Sequence, residues 1–201
     1  VGARLGHIFF YQPDYYLQNP FEILAIWQGG LASHGAAIGI IVALYLFSRK
    51  EKKPFIWILD RIVIAVALAG FFIRMGNLMN SEIYGTATDL PWGFIFLRRG
   101  ETIAKHPTQI YEALAYLAIF IFLFSHYFRN KGKIRPGFLF SMFLILVFTA
   151  RFFIEFIKEV QVGWEKEIAL NMGQILSIPF VILGLFILFR SMKQKPQKLT
   201  K

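Results

Sequence analysis

Long apolar runs separated by short polar stretches set the pattern of this chain. After an apolar stub at Val1–Phe10 come five further runs, Leu31–Ser48, Ile58–Ile73, Ala113–Phe128, Gly137–Ile157 and Met172–Arg190. Each approaches the roughly 20 residues that an α-helix, rising about 1.5 Å per residue, needs to cross about 30 Å of hydrocarbon. Ile58–Ile73 is the shortest, and its alternation with the others supports it more than its length does. The pattern predicts an all-α fold, a polytopic transmembrane helix bundle of about five full spans plus a partial N-terminal one, as a single integral membrane domain over residues 1–201.

Composition strengthens that reading. Of 201 residues 56% are hydrophobic, 23 are Phe, and mean hydropathy is +0.53. A soluble domain of this length would expose far too much apolar surface, which lipid accepts. The net charge of +10 raises the question of nucleic acid. Its distribution answers against it, because Lys and Arg gather in short connectors: Arg49, Lys50, Lys52 and Lys53, then Arg129, Lys131, Lys133 and Arg135, then the tail from Arg190 to Lys201. The stretch Tyr11–Gly30 has neither Lys nor Arg and carries Asp14 and Glu22. The positive-inside rule therefore places the basic connectors and the C-terminus in the cytoplasm and the long segment Arg74–Glu112 on the outer face. A connector of that length is commonly functional.

Smaller signals fill in the organisation. Gly2-x-x-x-Gly6 and Gly35-x-x-x-Gly39 allow close helix approach, and ordinary packing accounts for them. Pro136 breaks the chain at a span start, and Pro179 kinks the last span. No internal repeat supports an inverted-repeat transporter. The tail, with Lys193, Lys195, Pro196, Lys198 and Lys201, reads as a solvated or headgroup-touching end. Val1 and the half-helix after it read as an N-terminally truncated piece of something longer, with no signal-peptide pattern.

Cys is absent, which excludes disulfides, thiolate metal sites and a cysteine nucleophile of the protein's own. Any thiol must come from a substrate. Polar residues at bilayer depth supply the candidate chemistry, since one central charge costs about 2.5–3.5 kcal/mol on insertion scales. Arg74 and Asn77 share a face if the helix continues past Ile73; Gly76 bares backbone between them, and Glu82 and Gly85 follow. An Arg fork with carboxamides suits phosphate oxygens, while a helix end with a snorkelling Arg is the plainer alternative. Arg151 and Glu155 stand at i,i+4, either as a structural ion pair or as a second phosphate-directed cation with its orienting partner. His34 opens a span and is suited to taking a thiol proton, or to a structural role. Arg4 and His7 face one side of the stub. His106-Pro107-Thr108-Gln109-Ile110-Tyr111-Glu112 opens the fourth span, where capping and an interfacial Tyr explain it; His126 is incidental. Zinc-peptidase, serine-hydrolase and nucleotide-binding motifs are missing.

Arg74-Met75-Gly76-Asn77-Leu78-Met79-Asn80-Ser81-Glu82-Ile83-Tyr84-Gly85 resembles the signature of bacterial prolipoprotein diacylglyceryl transferases. Further blocks resemble that family in the same order. They are Gly2–His7, Trp27–Gly30, Ser33–Gly35, His106–Glu112, Arg151–Glu155 and Met172–Pro179. The resemblance covers essentially the whole chain. It implies a bacterial inner-membrane enzyme of about seven spans that moves an sn-1,2-diacylglyceryl group from phosphatidylglycerol to the lipobox cysteine after a prolipoprotein signal peptide, so that a thioether forms and glycerol phosphate leaves. It also implies His34, Arg74 and Arg151 as catalytic residues. Arg74, Asn77, Asn80, Glu82, Gly85, Glu155, Arg4 and His7 would bind substrate. The expected partners are phosphatidylglycerol, prolipoprotein and membrane lipid, with no nucleic acid, metal or organic cofactor. Two positions depart from the family pattern: Ile73 replaces a usual Gly, and Val147 stands where a Tyr is common. The family's first span and most of its second, with an early His/Tyr-containing segment, are expected to be missing. The competing reading is a lipid or organic-anion transporter that uses the same Arg/Asn pocket without making a bond.

Overall fold

The computed structural model describes residues 1–30, 32–159 and 170–196. Leu31, where the second run begins, and Lys198 and Lys201 of the tail lie outside them. The described residues form seven α-helices: α1 (Gly2–Tyr11), α2 (Pro13–Gln18), α3 (Ser33–Lys50), α4 (Phe55–Met79), α5 (Thr108–Arg129), α6 (Phe138–Ile154) and α7 (Met172–Met192). Short 3₁₀ turns and isolated backbone bridges connect them, and no strand occurs among the described residues. The all-α expectation holds. Four stretches are long and apolar enough to cross a membrane: Phe55–Met79, Thr108–Arg129, Phe138–Ile157 and Met172–Met192. The remaining expected span, Leu31–Ser48, forms as α3 but is not among the four; the last turn of α3 holds Arg49 and Lys50.

The chain divides into two compact units, Val1–Ile58 and Leu59–Lys201, with the boundary one turn into α4. In the first unit the two glycine pairs meet each other. A Cβ on Gly6 would lie 2.7 Å from the Gly35 Cα, and one on Gly2 would lie 2.9 Å from the Gly39 Cα. Only the absence of side chains lets α1 and α3 approach this closely.

In the second unit α4, α5 and α6 build the core from Val63, Ala67, Tyr116, Ile119, Leu123 and Leu139, joined by Ile134 just before α6. Gly70 makes room for the Tyr116 ring: a Cβ there would lie 2.9 Å from Tyr116 Cδ2. Asp60, buried on α4, accepts the backbone N–H groups of Gly137 (2.7 Å) and Phe140 (2.9 Å). A carboxylate from one helix thus caps the N-terminus of another, where orphan donors and the positive dipole end favour it. Helix α7 packs along α6, with Phe148 and Phe180 stacked at 4.3 Å and Gly184 against Ile145. Elsewhere the helices turn large apolar side chains outward, Phe72, Ile121, Phe153, Ile182 and Phe186 among them. That is the surface expected to face lipid.

Helix α4 carries the polar residues to the membrane edge. The span read as Ile58–Ile73 is only its middle; the helix runs on through Arg74, Gly76 and Asn77. At 25 residues it is about 37 Å long, more than the hydrocarbon needs, so its last turns reach the interfacial layer.

Candidate active site

Helix α4 ends in a Schellman motif. The Ser81 N–H bonds the Leu78 carbonyl (3.0 Å) and the Glu82 N–H bonds the Asn77 carbonyl (2.9 Å). The left-handed position usually given to Gly is filled by Ser81 at φ 56°. Two residues on, Ile83 sits at φ 59°, which a β-branched side chain rarely adopts and which costs of the order of 1–3 kcal/mol. The start of α5 holds this turn in place: Thr108 Oγ1 donates to the Ile83 carbonyl (2.9 Å) and Gln109 Nε2 to the Glu82 carbonyl (2.7 Å), both from fully buried positions.

The turn fixes a polar chain. Arg74 Nη1 donates to Asn77 Oδ1 (3.3 Å), and Asn77 Nδ2 donates to Glu82 Oε2 (3.2 Å). Arg74 and Asn77 do share a face, as their spacing predicts. On its other edge Arg74 Nε lies 2.9 Å from Glu112 Oε2, an ionic contact without good hydrogen-bond alignment. Glu112, one turn into α5, has no exposed side chain. Its other oxygen accepts from Lys158 Nζ (3.1 Å), which also reaches Glu155 Oε2 (3.2 Å). The result is one network, Glu82–Asn77–Arg74–Glu112–Lys158–Glu155, drawn from α4, α5 and the end of α6.

One expectation is corrected here. Arg151 and Glu155 do not pair; among the described residues the cation on Glu155 is Lys158. Helix α6 ends at Ile154, yet the Glu155 N–H still bonds the Arg151 carbonyl, so Glu155 keeps its helical position and it is Lys158, at the end of the following 3₁₀ turn, that draws its carboxylate away. Gly173 leaves room for its carboxylate, since a Cβ there would come within 2.6 Å of both oxygens. Arg151 Nε is buried without a partner among the described residues. Its guanidinium and that of Arg74 both lie near the buried Tyr116.

Other expected residues have different surroundings. Asn80 is exposed just past α4. Gly85 is spent on packing: its N–H bonds the His106 carbonyl (2.8 Å), and a Cβ would meet the Ile157 carbonyl, His106 and Thr108 within 2.8 Å. Arg4 is buried and gives hydrogen bonds to the carbonyls of Glu22, Ile23 (3.1 Å), Gly29 (2.6 Å) and Gly30 (3.4 Å), with Tyr16 beneath its guanidinium. Four of its five N–H donors hold the connector between α1 and α3. His7 stacks on Tyr11 (5.5 Å), and exposed His34 meets Phe10 edge-on (5.0 Å) and Tyr11 at 5.8 Å. These three residues belong to the first unit; Arg74, Asn77, Asn80, Glu82, Gly85, Arg151 and Glu155 belong to the second.

The connector after Glu82 is braced. Tyr84 stacks on Phe96 (4.6 Å) and donates to Glu101 (2.8 Å); Lys105 reaches Glu101 (3.1 Å) and Glu159 (2.7 Å). The bonds from Tyr84 and then Lys105 hold the Glu101 carboxyl below its ordinary range. The Glu159 hydrogen bond lifts Lys105 above its own, against a smaller desolvation penalty.

Sequence reasoning missed Glu112 as part of the site, and Lys158 and Tyr116 altogether. A carboxylate opening a span and a Lys three residues past Glu155 were the available signals.

Several apolar helices with a buried ionic network near their ends make this a multi-pass membrane protein with a polar site at the bilayer edge. The sequence model of the prolipoprotein diacylglyceryl transferase family matches residues 1–190, and the chain belongs to that family. It is 49% identical over 196 residues to the phosphatidylglycerol–prolipoprotein diacylglyceryl transferase of Tolumonas auensis, covering 97% of this chain and 75% of that one. Proteins of the same name from Porphyromonas gingivalis and Chloroherpeton thalassium are 47% and 48% identical, with 96% of this chain covered in each case and 73% and 72% of theirs.

Proposed function

We propose that the Arg74–Glu112–Lys158 network is where this transferase handles its lipid donor. The protein transfers a diacylglyceryl group from phosphatidylglycerol to prolipoprotein, the activity named for its relatives. The transporter reading draws no support from them. One observation carries the site assignment: the buried cluster is incompletely paired. Arg74 and Lys158 share Glu112, Lys158 also holds Glu155, and Arg151 Nε is buried with no partner among the described residues. A phosphodiester anion supplies acceptors for it.

Transfer then runs as a displacement. The sulfur of the lipobox cysteine attacks the primary glyceryl carbon, the carbon–oxygen bond to phosphate breaks, and glycerol phosphate leaves with the electron pair. The thiol proton passes to a base, the role we assign to His34. Arg74 and Arg151 hold the phosphate, Asn77 and Glu82 shape the headgroup side, and Glu112 with Lys158 keeps Arg74 aimed. Preorganised charge and alignment supply the acceleration. The site faces outward across the bacterial inner membrane, and the C-terminus is cytoplasmic.

In proteoliposomes holding phosphatidylglycerol and a lipobox peptide, Arg74→Ala should lose the thioether product by at least about 100-fold, as expected for a preorganised charge contact. Wild-type turnover in that variant removes Arg74 from the mechanism. His34→Gln with an unchanged pH profile would remove His34 as base. Labelled-lipid flux without thioether would restore the transporter.

A further inference from the structure

The connector that joins the end of α4 to the start of α5 carries two kinds of surface on one short stretch. Leu90, Trp92, Ile95, Leu97 and Ile103 are exposed, Leu97 to 78%. Their exposure is not looseness. The backbone bridges of Ala87 and Phe94 with Lys105, the Tyr84–Phe96 stack and the Lys105 ion pairs hold the connector rigid around them. Trp92 presents an open ring while its indole N–H donates to Tyr111 (2.9 Å). That is the behaviour of an aromatic at a membrane interface, apolar on its faces and satisfied at its tip.

Beside Leu97 stand two cations turned back toward the site. Arg98 donates to the Met79 carbonyl (2.9 Å). Arg99 donates to the Ser81 carbonyl (3.2 Å), and its Nη2 lies 3.9 Å from Glu82 Oε1, at a half-exposed position. Glu82 is the outermost member of the chain leading through Asn77 to Arg74. The other acidic groups of the connector and its brace are exposed Asp89, and Glu101 and Glu159, both held by Lys105. The Leu97–Arg99 turn therefore puts two cations beside the outer end of the network, Arg98 bonded to a neutral carbonyl and Arg99 only distantly paired with Glu82, next to exposed Met79 at the end of α4.

We propose that this connector is a lipid platform. Its apolar residues sit in the interfacial layer, and Arg98 and Arg99 receive the phosphate of an anionic phospholipid beside Glu82 and pass it toward Arg74. The apolar rim selects a lipid surface over a soluble anion, and the arginines select an anionic lipid over a zwitterionic one. The proposal rests on the transfer reading for its second half and on exposure alone for its first.

Two measurements on the protein in vesicles test it. With phosphatidylglycerol titrated into phosphatidylcholine vesicles, the double variant Arg98→Gln/Arg99→Gln should raise KM for the donor about tenfold, with the loss falling on KM rather than kcat, as removal of encounter charges at a rim does. An unchanged KM, or a loss confined to kcat, overturns the capture role. Separately, lipids brominated near the headgroup should quench a fluorescence component that disappears in Trp92→Phe. Quenching of that component by aqueous iodide alone overturns the platform. The fluorescence arm needs no turnover, so a wild type that forms no thioether defeats the transfer reading while leaving the platform to its own test.

Discussion

Glu112 shows how much one side chain decides. Fully buried, it receives Arg74 on one oxygen and Lys158 on the other, so neutralising it leaves Arg74 without its counter-charge and Lys158 with Glu155 alone. Breaking a buried pair from one side costs roughly 3–5 kcal/mol. Glu112→Gln keeps the shape and removes the charge, and should lower kcat/KM by at least about 100-fold, since each 1.36 kcal/mol is about a factor of ten. Thermal unfolding of the same protein should fall as well, because the charge is structural too. Glu112→Asp, which keeps the charge, should recover part of both; equal transfer by Gln and wild type would show that the network does not aim Arg74. At this scale the sequence was half legible. The spacing of Arg74 and Asn77 announced a shared face, and the ordered family blocks announced a phosphate. What Glu112 would contact was hidden, because an interfacial capping role explained it equally well. Lys158 was hidden more deeply: it follows the end of α6, where its backbone bridges to Gly85 and its side chain is buried.

Between residues and the bundle, the end of α6 is where sequence spacing misleads. Counting i,i+4 tells which face two side chains share, not which cation wins: the Glu155 N–H still bonds the Arg151 carbonyl, but Lys158, at the end of the following 3₁₀ turn, takes its carboxylate. The start of α7 locks that geometry. Asn171 and Gln174 form a capping box, Asn171 Nδ2 also donates to the Glu155 carbonyl (3.1 Å), and Gly173 makes the space in which the Glu155 carboxylate lies. The block from Met172 to Pro179 is thus legible as a helix start but not as a wall of the site. Gly173→Ala tests this reading. An extra methyl must displace a carboxylate that is pinned by an ion pair, so activity should drop about tenfold or more, a cost in the range of overpacking a well-filled site. Ala at Gly76, where a Cβ meets nothing within 4 Å, should be tolerated and serves as the comparison. A Gly173→Ala protein with normal turnover would mean that Glu155 need not sit where it does.

Across the whole chain, function depends on which ends of the spans face which side. Helical architecture was legible from the apolar runs, since each run expected to span forms an α-helix over most of its described length. Span boundaries were not, because hydropathy falls at Arg74 while the backbone continues for another turn and a half to satisfy its hydrogen bonds, as any helix at a membrane edge must. The proposed orientation rests on charge: four basic residues between Arg49 and Lys53 and four between Arg129 and Arg135, against none in Tyr11–Gly30. The connector with Arg98, Arg99 and Lys105 is the counter-current, three cations on the side that should be poor in them. Two of these are tied to backbone carbonyls of the α4 end and the third is neutralised by Glu101 and Glu159, so their weight as topological signals is reduced. The chain has no cysteine, which makes the orientation directly measurable. A single Cys at exposed Thr102 should react with a membrane-impermeant maleimide on intact spheroplasts, whereas one at exposed Lys193 should react only after lysis. Labelling in the opposite order would invert the topology. It would also put the Arg74 network on the face away from the prolipoprotein cysteine, and no local geometry could then rescue the assignment of the site.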